Sequence, residues 1–252
     1  MNNTLVIKAA DITMISQLSE LWCLCFPQDR PEDADAFYRE FFGEIVCLVG
    51  LVNGQVVTML HLLPATAYCY GVPRRVRYLY AGGTHPAHRH HGYYAKLMQF
   101  ASEYVAKSGE SGIYLHPATP SLIPLYEKSG YRLCIHTSAP MPTLPHASVK
   151  MCDAATFADH RHCLLQNLQF PGVYFEPDTR ISAAFLAPRI REGDRLYRWE
   201  GGSCVMSDGV LCHSIPPIAS DEAVAMWLGV GECDTVLPII ESQGGFTALL
   251  GE

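Results

Sequence analysis

The run Tyr78-Leu79-Tyr80-Ala81-Gly82-Gly83-Thr84-His85-Pro86-Ala87-His88-Arg89-His90-His91-Gly92-Tyr93-Tyr94 constrains the fold more than any other segment. It joins a strand to a helix, because Gly92 to Lys107 carries Ala95, Leu97, Met98, Ala101, Val105 and Ala106 on or near one helical stripe. The start of a helix exposes N–H groups that have no partner within the helix, and the dipole adds partial positive charge there. Arg89 supplies a full positive charge, and Gly92 lets the backbone approach a ligand closely. Together these groups suit a pyrophosphate. From spacing alone, an ordinary tight turn with an exposed arginine fits equally well.

What surrounds the loop narrows the architecture. Leu5 to Lys8 alternates as a strand, and Asp11 can cap a helix with Met14, Ile15, Leu18, Leu21 and Trp22 on one face. A second helix is predicted from Pro31 or Glu32 to Phe42, ended by Gly43. Ile45 to Val52, Asn53-Gly54 and Val56 to Leu63 read as a hairpin, since Asn-Gly is the strongest short hairpin signal. Ala65 to Tyr70, a Gly71-Val72-Pro73 turn and Arg75 to Thr84 read as a second ribbon. After the 92–107 helix come a strand at Gly112 to His116, a helix from Pro120 or Ser121 to Gly130, and a strand at Tyr131 to His136.

Residues 137 to 147 hold Pro140, Pro142 and Pro145 and read as a linker. Beyond it, Val149 to Asp153 and a helical stretch echo Ile7 to Asp11 and its helix. Strands are expected around Leu196 to Trp199, Ser203 to Met206 and Gly209 to Ile215, followed by a helix Asp221 to Leu228 capped by Ser220. The expected plan is a first domain at 1–138, a linker at 139–147 and a smaller α/β domain at 148–252.

Composition excludes several functions. A net charge of −7 with no basic stripe argues against nucleic acid. No apolar run reaches the length that spans a bilayer, and the start lacks a secretory signature. The ten cysteines are scattered, many in apolar runs, with no CxxC pair. A soluble, cytoplasmic protein of a reducing compartment is expected. His88, His90 and His91 have no nearby Asp, Glu or Cys to complete a metal site, and Cys152, His160, His162 and Cys163 fit no familiar zinc spacing. No metal is expected. A Rossmann reading fails on position, because the loop does not follow the first strand of a βαβ unit, and no Gly-x-Ser-x-Gly elbow is present.

Two motifs in order then carry a resemblance. Arg89, Gly92 and the preceding Pro86 stand as in the Arg/Gln-x-x-Gly-x-Gly/Ala site of the GNAT superfamily of acyl-CoA N-acyltransferases. Leu125-Tyr126-Glu127-Lys128-Ser129-Gly130-Tyr131 is similar to that family's Leu-Tyr-x-x-x-Gly-Phe helix end. The resemblance covers roughly residues 5 to 137. Tyr94 departs from the small residue usual at that position, as in the branch of the mycobacterial enhanced-intracellular-survival acetyltransferases, which also carries extra domains.

The resemblance implies an α/β (α+β) fold with a mixed, mostly antiparallel central sheet flanked by helices, followed by a smaller α/β domain; the echo of Ile7 to Asp11 at Val149 to Asp153 fits a truncated repeat and chance similarity about equally. It implies transfer of an acetyl group from acetyl-CoA to a primary amine of a small molecule or peptide, by direct attack. Gly82, Gly83 and Thr84 would pair with the pantetheine arm, and Arg89, His90, His91, Gly92, Tyr93 and Tyr94 would cradle the pyrophosphate. A backbone N–H near Gly83 or Thr84 would stabilise the tetrahedral intermediate. Tyr126 stands where the family places the proton donor to the departing thiolate. For the general base, His116 is the leading candidate, with His85 and the chain-end carboxylate at Glu252 as others, because Val76 to Thr84 has no carboxylate. The two N-terminal helices, the ribbon around Tyr68 to Arg75 and the second half are expected to line the acceptor site, the second half shielding that site or forming a homo-oligomer contact. The alternative function is a non-catalytic acyl-CoA-binding or sensor module.

Overall fold

The computed structural model describes residues 4–145, 148–167, 172–218, 220, 222–230 and 234–247. The chain begins with β1 (Val6–Ala9), α1 (Ile15–Cys25), α2 (Pro31–Phe41), β2 (Val46–Val52), β3 (Gln55–Cys69) and β4 (Val72–Thr84). Then come α3 (Tyr93–Lys107), β5 (Gly112–Leu115), α4 (Ile123–Glu127) and β6 (Arg132–Thr137). The second half supplies β7 (Lys150–Cys152), α5 (Ala154–Asn167), β8 (Val173–Pro177), α6 (Thr179–Glu192), β9 (Arg195–Trp199), β10 (Gly202–Ser207), β11 (Val210–Ile215), β12 (Ala223–Gly229), α7 (Leu237–Gln243) and β13 (Gly245–Thr247). Among the described residues no helix is long and apolar enough to cross a membrane.

The first ribbons form as expected, with one difference. Asn53 and Gly54 both have positive φ, which gives the β2–β3 hairpin the twist of a type I′ turn. Pro64, however, does not divide the next stretch. β3 runs straight through it, pairing with β2 up to Leu62 and with β8 from Ala65 onward. A proline has no N–H to offer a ladder, and Pro64 falls at the one place where β3 changes partners on that side. The following turn is made by Tyr70 and Gly71, again both at positive φ.

The sheet has the order β1-β2-β3-β4-β5-β12-β6-β13-β8, and β8 pairs back onto β3. The strands from β3 round to β8 therefore close on one another. Closure removes sheet edges and leaves Tyr78, Tyr114, Phe175 and Trp227 in one buried cluster with α1 and α2 residues. A second cluster, with Leu97, Met98, Ala101 and Val105 of α3, covers the opposite face. β11-β10-β9-β7 form a separate four-stranded sheet, whose core of Leu196 and Val205 packs on Phe157 of α5 and Leu186 of α6.

The expected helix at 221–228 is instead β12. Ser220 does accept the Glu222 N–H, as a capping residue would. The segment that follows, Ala223-Val224-Ala225-Met226-Trp227-Leu228, is bonded on both edges, to β5 and to β6, with Ala225, Met226 and Trp227 buried. A short apolar run of this kind reads as helix or buried strand alike, and here the gap between two strands decides. β8 and β13 were likewise not legible as strands. Residues on both sides of the 139–147 segment thus share one sheet, so that segment separates the chain in sequence without separating the hydrogen bonding.

Gly112 shows how closely β12 fits: a Cβ there would meet the Trp227 ring at 2.3 Å and the Leu228 carbonyl oxygen at 2.4 Å. Trp227→Ala is expected to lower unfolding free energy by about 3–5 kcal/mol, the range for deleting a buried large aromatic, measured by urea denaturation. A chain cut at residue 147 leaves β5 and β6 without their common neighbour and is expected to melt without a cooperative transition. A sharp thermal transition from that fragment would contradict the shared sheet.

Candidate active site

β4 is bonded to β5 only at Arg77, Tyr78 and Leu79. Past Leu79 the two strands part, while β4 continues beside β3 to Thr84 with a break in register between Met59 and His61. Ala81 lies inside that irregularity at φ 44°, a left-handed conformation uncommon for a residue with a side chain. The parting opens a cavity of about 680 Å³.

Its walls come from four places: Cys25, Phe26 and Gln28 at the end of α1; Gly82, Gly83 and Thr84 of β4; His88 to Tyr94 except His91; and Ala118, Leu122, Leu125 and Tyr126 around α4. The structure therefore brings together eight of the nine residues expected to hold coenzyme, namely Gly82, Gly83, Thr84, Arg89, His90, Gly92, Tyr93 and Tyr94, with Tyr126 facing the same space. His91 stands beside the loop, its Nδ1 2.8 Å from the Arg89 carbonyl oxygen and its ring stacked near Tyr93. Sequence reasoning missed Cys25, Phe26 and Gln28, which carry no motif and arrive only because α1 crosses β4.

The loop is shaped locally. Arg89 Nε donates to the Thr84 carbonyl at 3.2 Å, folding the guanidinium back over the loop. His90 and Gly92 both have positive φ, and Gly92 is the residue before α3 begins. A Cβ at Gly92 would meet nothing within 4 Å, so its requirement is conformational and not spatial. Gly82 is the reverse case. A Cβ there would lie 2.1 Å from the Tyr94 hydroxyl, so the bulky Tyr94 is accommodated because residue 82 has no side chain.

Tyr126 is buried, its ring edge-on to Tyr131 at 5.9 Å. Burial raises its hydroxyl above the ordinary value, with Tyr94 pulling in the opposite direction. Tyr94 is held higher still by its own burial and by Tyr126. Two phenols that keep their protons thus meet at the cavity floor. His116 is elsewhere. Its ring packs edge-on to Tyr78 at 5.7 Å and Tyr114 at 6.2 Å, outside the lining of this cavity. Burial lowers its imidazole to about 4. His85 uses its Nδ1 to accept the Ala87 N–H, and Glu252 lies outside the described residues. Among the described residues no group of three His, Cys, Asp or Glu could hold a metal ion.

A second cavity, also of about 680 Å³, lies beside residue 80 of β4. Trp22, Phe37, Tyr80 and Phe185 form an aromatic box there, with ring centroids 5.0–5.8 Å apart along its contacts. Asp29, Asp33 and Glu40 add carboxylates to its walls, and Arg180 and Arg191 stand at the α6 side. Asp29 accepts the Trp22 indole N–H at 2.6 Å. The two cavities flank residues 80–82, with the chain from Trp22 to Asp29 running between them.

A splayed β4–β5 pair, a glycine-bearing loop into a helix and a buried tyrosine on the facing helix define a coenzyme-dependent acyltransferase fold. The Acetyltransferase (GNAT) domain family matches residues 6–134, and the chain belongs to that family. No curated protein matches it. A probable N-acyltransferase from Enterococcus faecalis V583 superposes with TM-score 0.63 at 14% identity, over 82% of this chain and 56% of that one. A GCN5-related N-acetyltransferase from Anabaena variabilis gives TM-score 0.61 at 17% identity, over 95% and 61%. Eis1 from Mycobacterium abscessus gives 0.59 at 15% identity, over 80% and 53%. The chain spans little more than half the length of these structures, and the likeness is one of fold.

Two outcomes follow from this geometry. Gly82→Ala is expected to lower stability by about 1–3 kcal/mol through overpacking, and Tyr94→Phe in the same chain is expected to recover part of it; thermal melts of the single and double variants check this. The buried imidazoles give the second. His61 and His116 sit at about 4 and His213 at about 3, all lowered by burial from the ordinary value of 6.5. Between those values the unfolded chain binds more protons than the folded one, so stability is complete above pH 6.5 and declines as pH falls toward 4. A urea midpoint that stays flat over that interval would contradict the burial of these rings as neutral species.

Proposed function

We propose that this protein transfers the acetyl group of acetyl-CoA to a primary amine by direct attack. The observation that carries this reading is the convergence of Gly82–Thr84, the Arg89–Tyr94 loop and Tyr126 on one cavity of about 680 Å³. When bound there, the coenzyme supplies a thioester already activated toward amines. Arg89 and the N–H groups opening α3 hold its pyrophosphate, and the backbone of Gly82 to Thr84 holds the pantetheine arm as an added strand would. Tyr126 gives its proton to the departing thiolate, a task suited to a phenol that stays protonated at neutral pH.

The amine enters from the other side of β4. Its cationic form is attracted to the faces of Trp22, Phe37, Tyr80 and Phe185 and to Asp29. After losing one proton to solvent water its nitrogen bonds to the thioester carbonyl carbon past residues 80–82, the C–S bond breaks, and the second amine proton replaces the one that Tyr126 gives to the sulfur. The second half of the chain contributes directly here through Phe185 of α6, so it forms a wall of the acceptor cavity. His116 faces neither cavity lining and takes no part in this scheme. The nine described cysteines are all free thiols, in keeping with work in a reducing compartment such as the cytoplasm.

Purified protein with acetyl-CoA and a panel of polyamines, aminoglycosides and peptides is expected to release thiol. Tyr126→Phe is expected to cut turnover by about 10²-fold, the lower range for losing a general acid, while coenzyme affinity is kept. Coenzyme binding without thiol release on any member of the panel would favour a non-catalytic acyl-CoA-binding module instead.

A further inference from the structure

A histidine behind β4 is placed to act on the reaction without touching it. His61 of β3 is fully buried. Its Nδ1 lies 3.2 Å from both the Tyr80 and the Ala81 carbonyl oxygens. Carbonyls only accept, so Nδ1 carries the proton and donates to the pair. The other nitrogen, Nε2, is then the acceptor, and the Tyr38 hydroxyl donates to it at 2.8 Å. Trp22, Phe37 and Tyr38 pack around the ring with centroids 5.4–6.1 Å away, which fixes its plane.

This bond falls at the irregular point of β4. Ala81 holds its left-handed φ of 44° where the register with β3 slips and after β5 has left. Such a backbone costs free energy and persists only when its surroundings hold it. A trans peptide plane has its N–H on the edge opposite its C=O. Holding the Ala81 carbonyl toward His61 therefore turns the Gly82 N–H away from His61, and Gly82 lines the coenzyme cavity.

We propose that His61, oriented by Tyr38, is a positioning residue: it locks the Ala81–Gly82 peptide so that the Gly82 N–H donates to the thioester carbonyl oxygen. The inference rests on the acetyl-CoA reading above; the family resemblance already implies a backbone donor on this strand, near Gly83 or Thr84, and what is added is its assignment to Gly82 and His61 as the device that aims it. The aimed N–H meets an oxygen that gains negative charge as the amine attacks, so it helps the tetrahedral species more than the ground state. No atom of His61 reaches the cavity lining.

Coenzyme A lacks the carbonyl that acetyl-CoA presents, so the pair separates this role from a structural one without any acceptor. Calorimetry of the full chain is expected to show that His61→Leu weakens acetyl-CoA about tenfold, as loss of one hydrogen bond of about 1.4 kcal/mol would, and leaves CoA affinity unchanged. His61→Asn, whose amide can place an N–H near the Nδ1 position, is expected to restore most of the difference. In infrared spectra, the carbonyl-¹³C thioester band of bound acetyl-CoA should shift to lower frequency in the wild type and return toward its solution value in His61→Leu. If His61→Leu does not fold, His61→Phe, whose ring fills the same space and offers no N–H to the Tyr80 and Ala81 carbonyls, carries the same comparison. Equal weakening of both ligands, or of neither, with an unshifted band would overturn the positioning role. Wild-type protein that binds neither ligand would instead overturn the acetyl-CoA reading beneath it.

Discussion

The parting of β4 from β5 after Leu79 is the constraint on which the rest of the molecule depends. A strand that loses its neighbour leaves backbone polar groups to be satisfied by something else. Two features make the parting tolerable. On one side, β3 stays with β4 through Thr84, with the Ala81 irregularity and the His61 bond accommodating the change of direction. On the other, β5 is held by β12, and the circuit of strands through β6, β13 and β8 returns to β3. The cavity is therefore a gap in an otherwise closed arrangement, and the second half of the chain is what closes it.

The residues that make the gap useful are matched to one another. Gly82 has no side chain, which admits the Tyr94 ring beneath it, and Tyr94 in turn lies beside Tyr126. The departure that sets this chain apart from the commonest form of its family motif is thus built into the floor of the site. Aromatic packing continues across β4 into the second cavity, where Tyr80 contacts Trp22, Phe37 and Phe185. One short stretch of β4 lines both cavities, through Gly82 on one and Tyr80 on the other.

Much of this was legible in the sequence, and for identifiable reasons. The Asn53-Gly54 turn, the apolar stripes of α1 to α3 and the Arg89–Gly92 spacing are local signals that the structure keeps, whereas Asp11 caps a 3-10 turn at Ile12–Met14 ahead of α1, and α2 ends at Phe41 without a left-handed Gly43. Eight of the nine residues expected from that spacing, and Tyr126, line one cavity. What was not legible is set by distant partners. Ala223 to Leu228 became a strand because β5 and β6 leave a slot for one, and β3 passed through Pro64 because β8 meets it just beyond. His116 looked suitable by position at a strand end, yet its side chain turns into the packing of Tyr78 and Tyr114. His61 carries no motif at all; its role exists only through the carbonyls across the ladder.

The proposed function requires acetyl-CoA to occupy the space between the Gly82–Tyr94 segment and α4. Amide hydrogen exchange of the full chain with and without acetyl-CoA tests it most directly. Slowed exchange is expected in peptides covering residues 82–94 and 118–126, with the α5 and four-stranded-sheet peptides unchanged. Protection confined to other parts of the molecule, or none at saturating coenzyme, would contradict it.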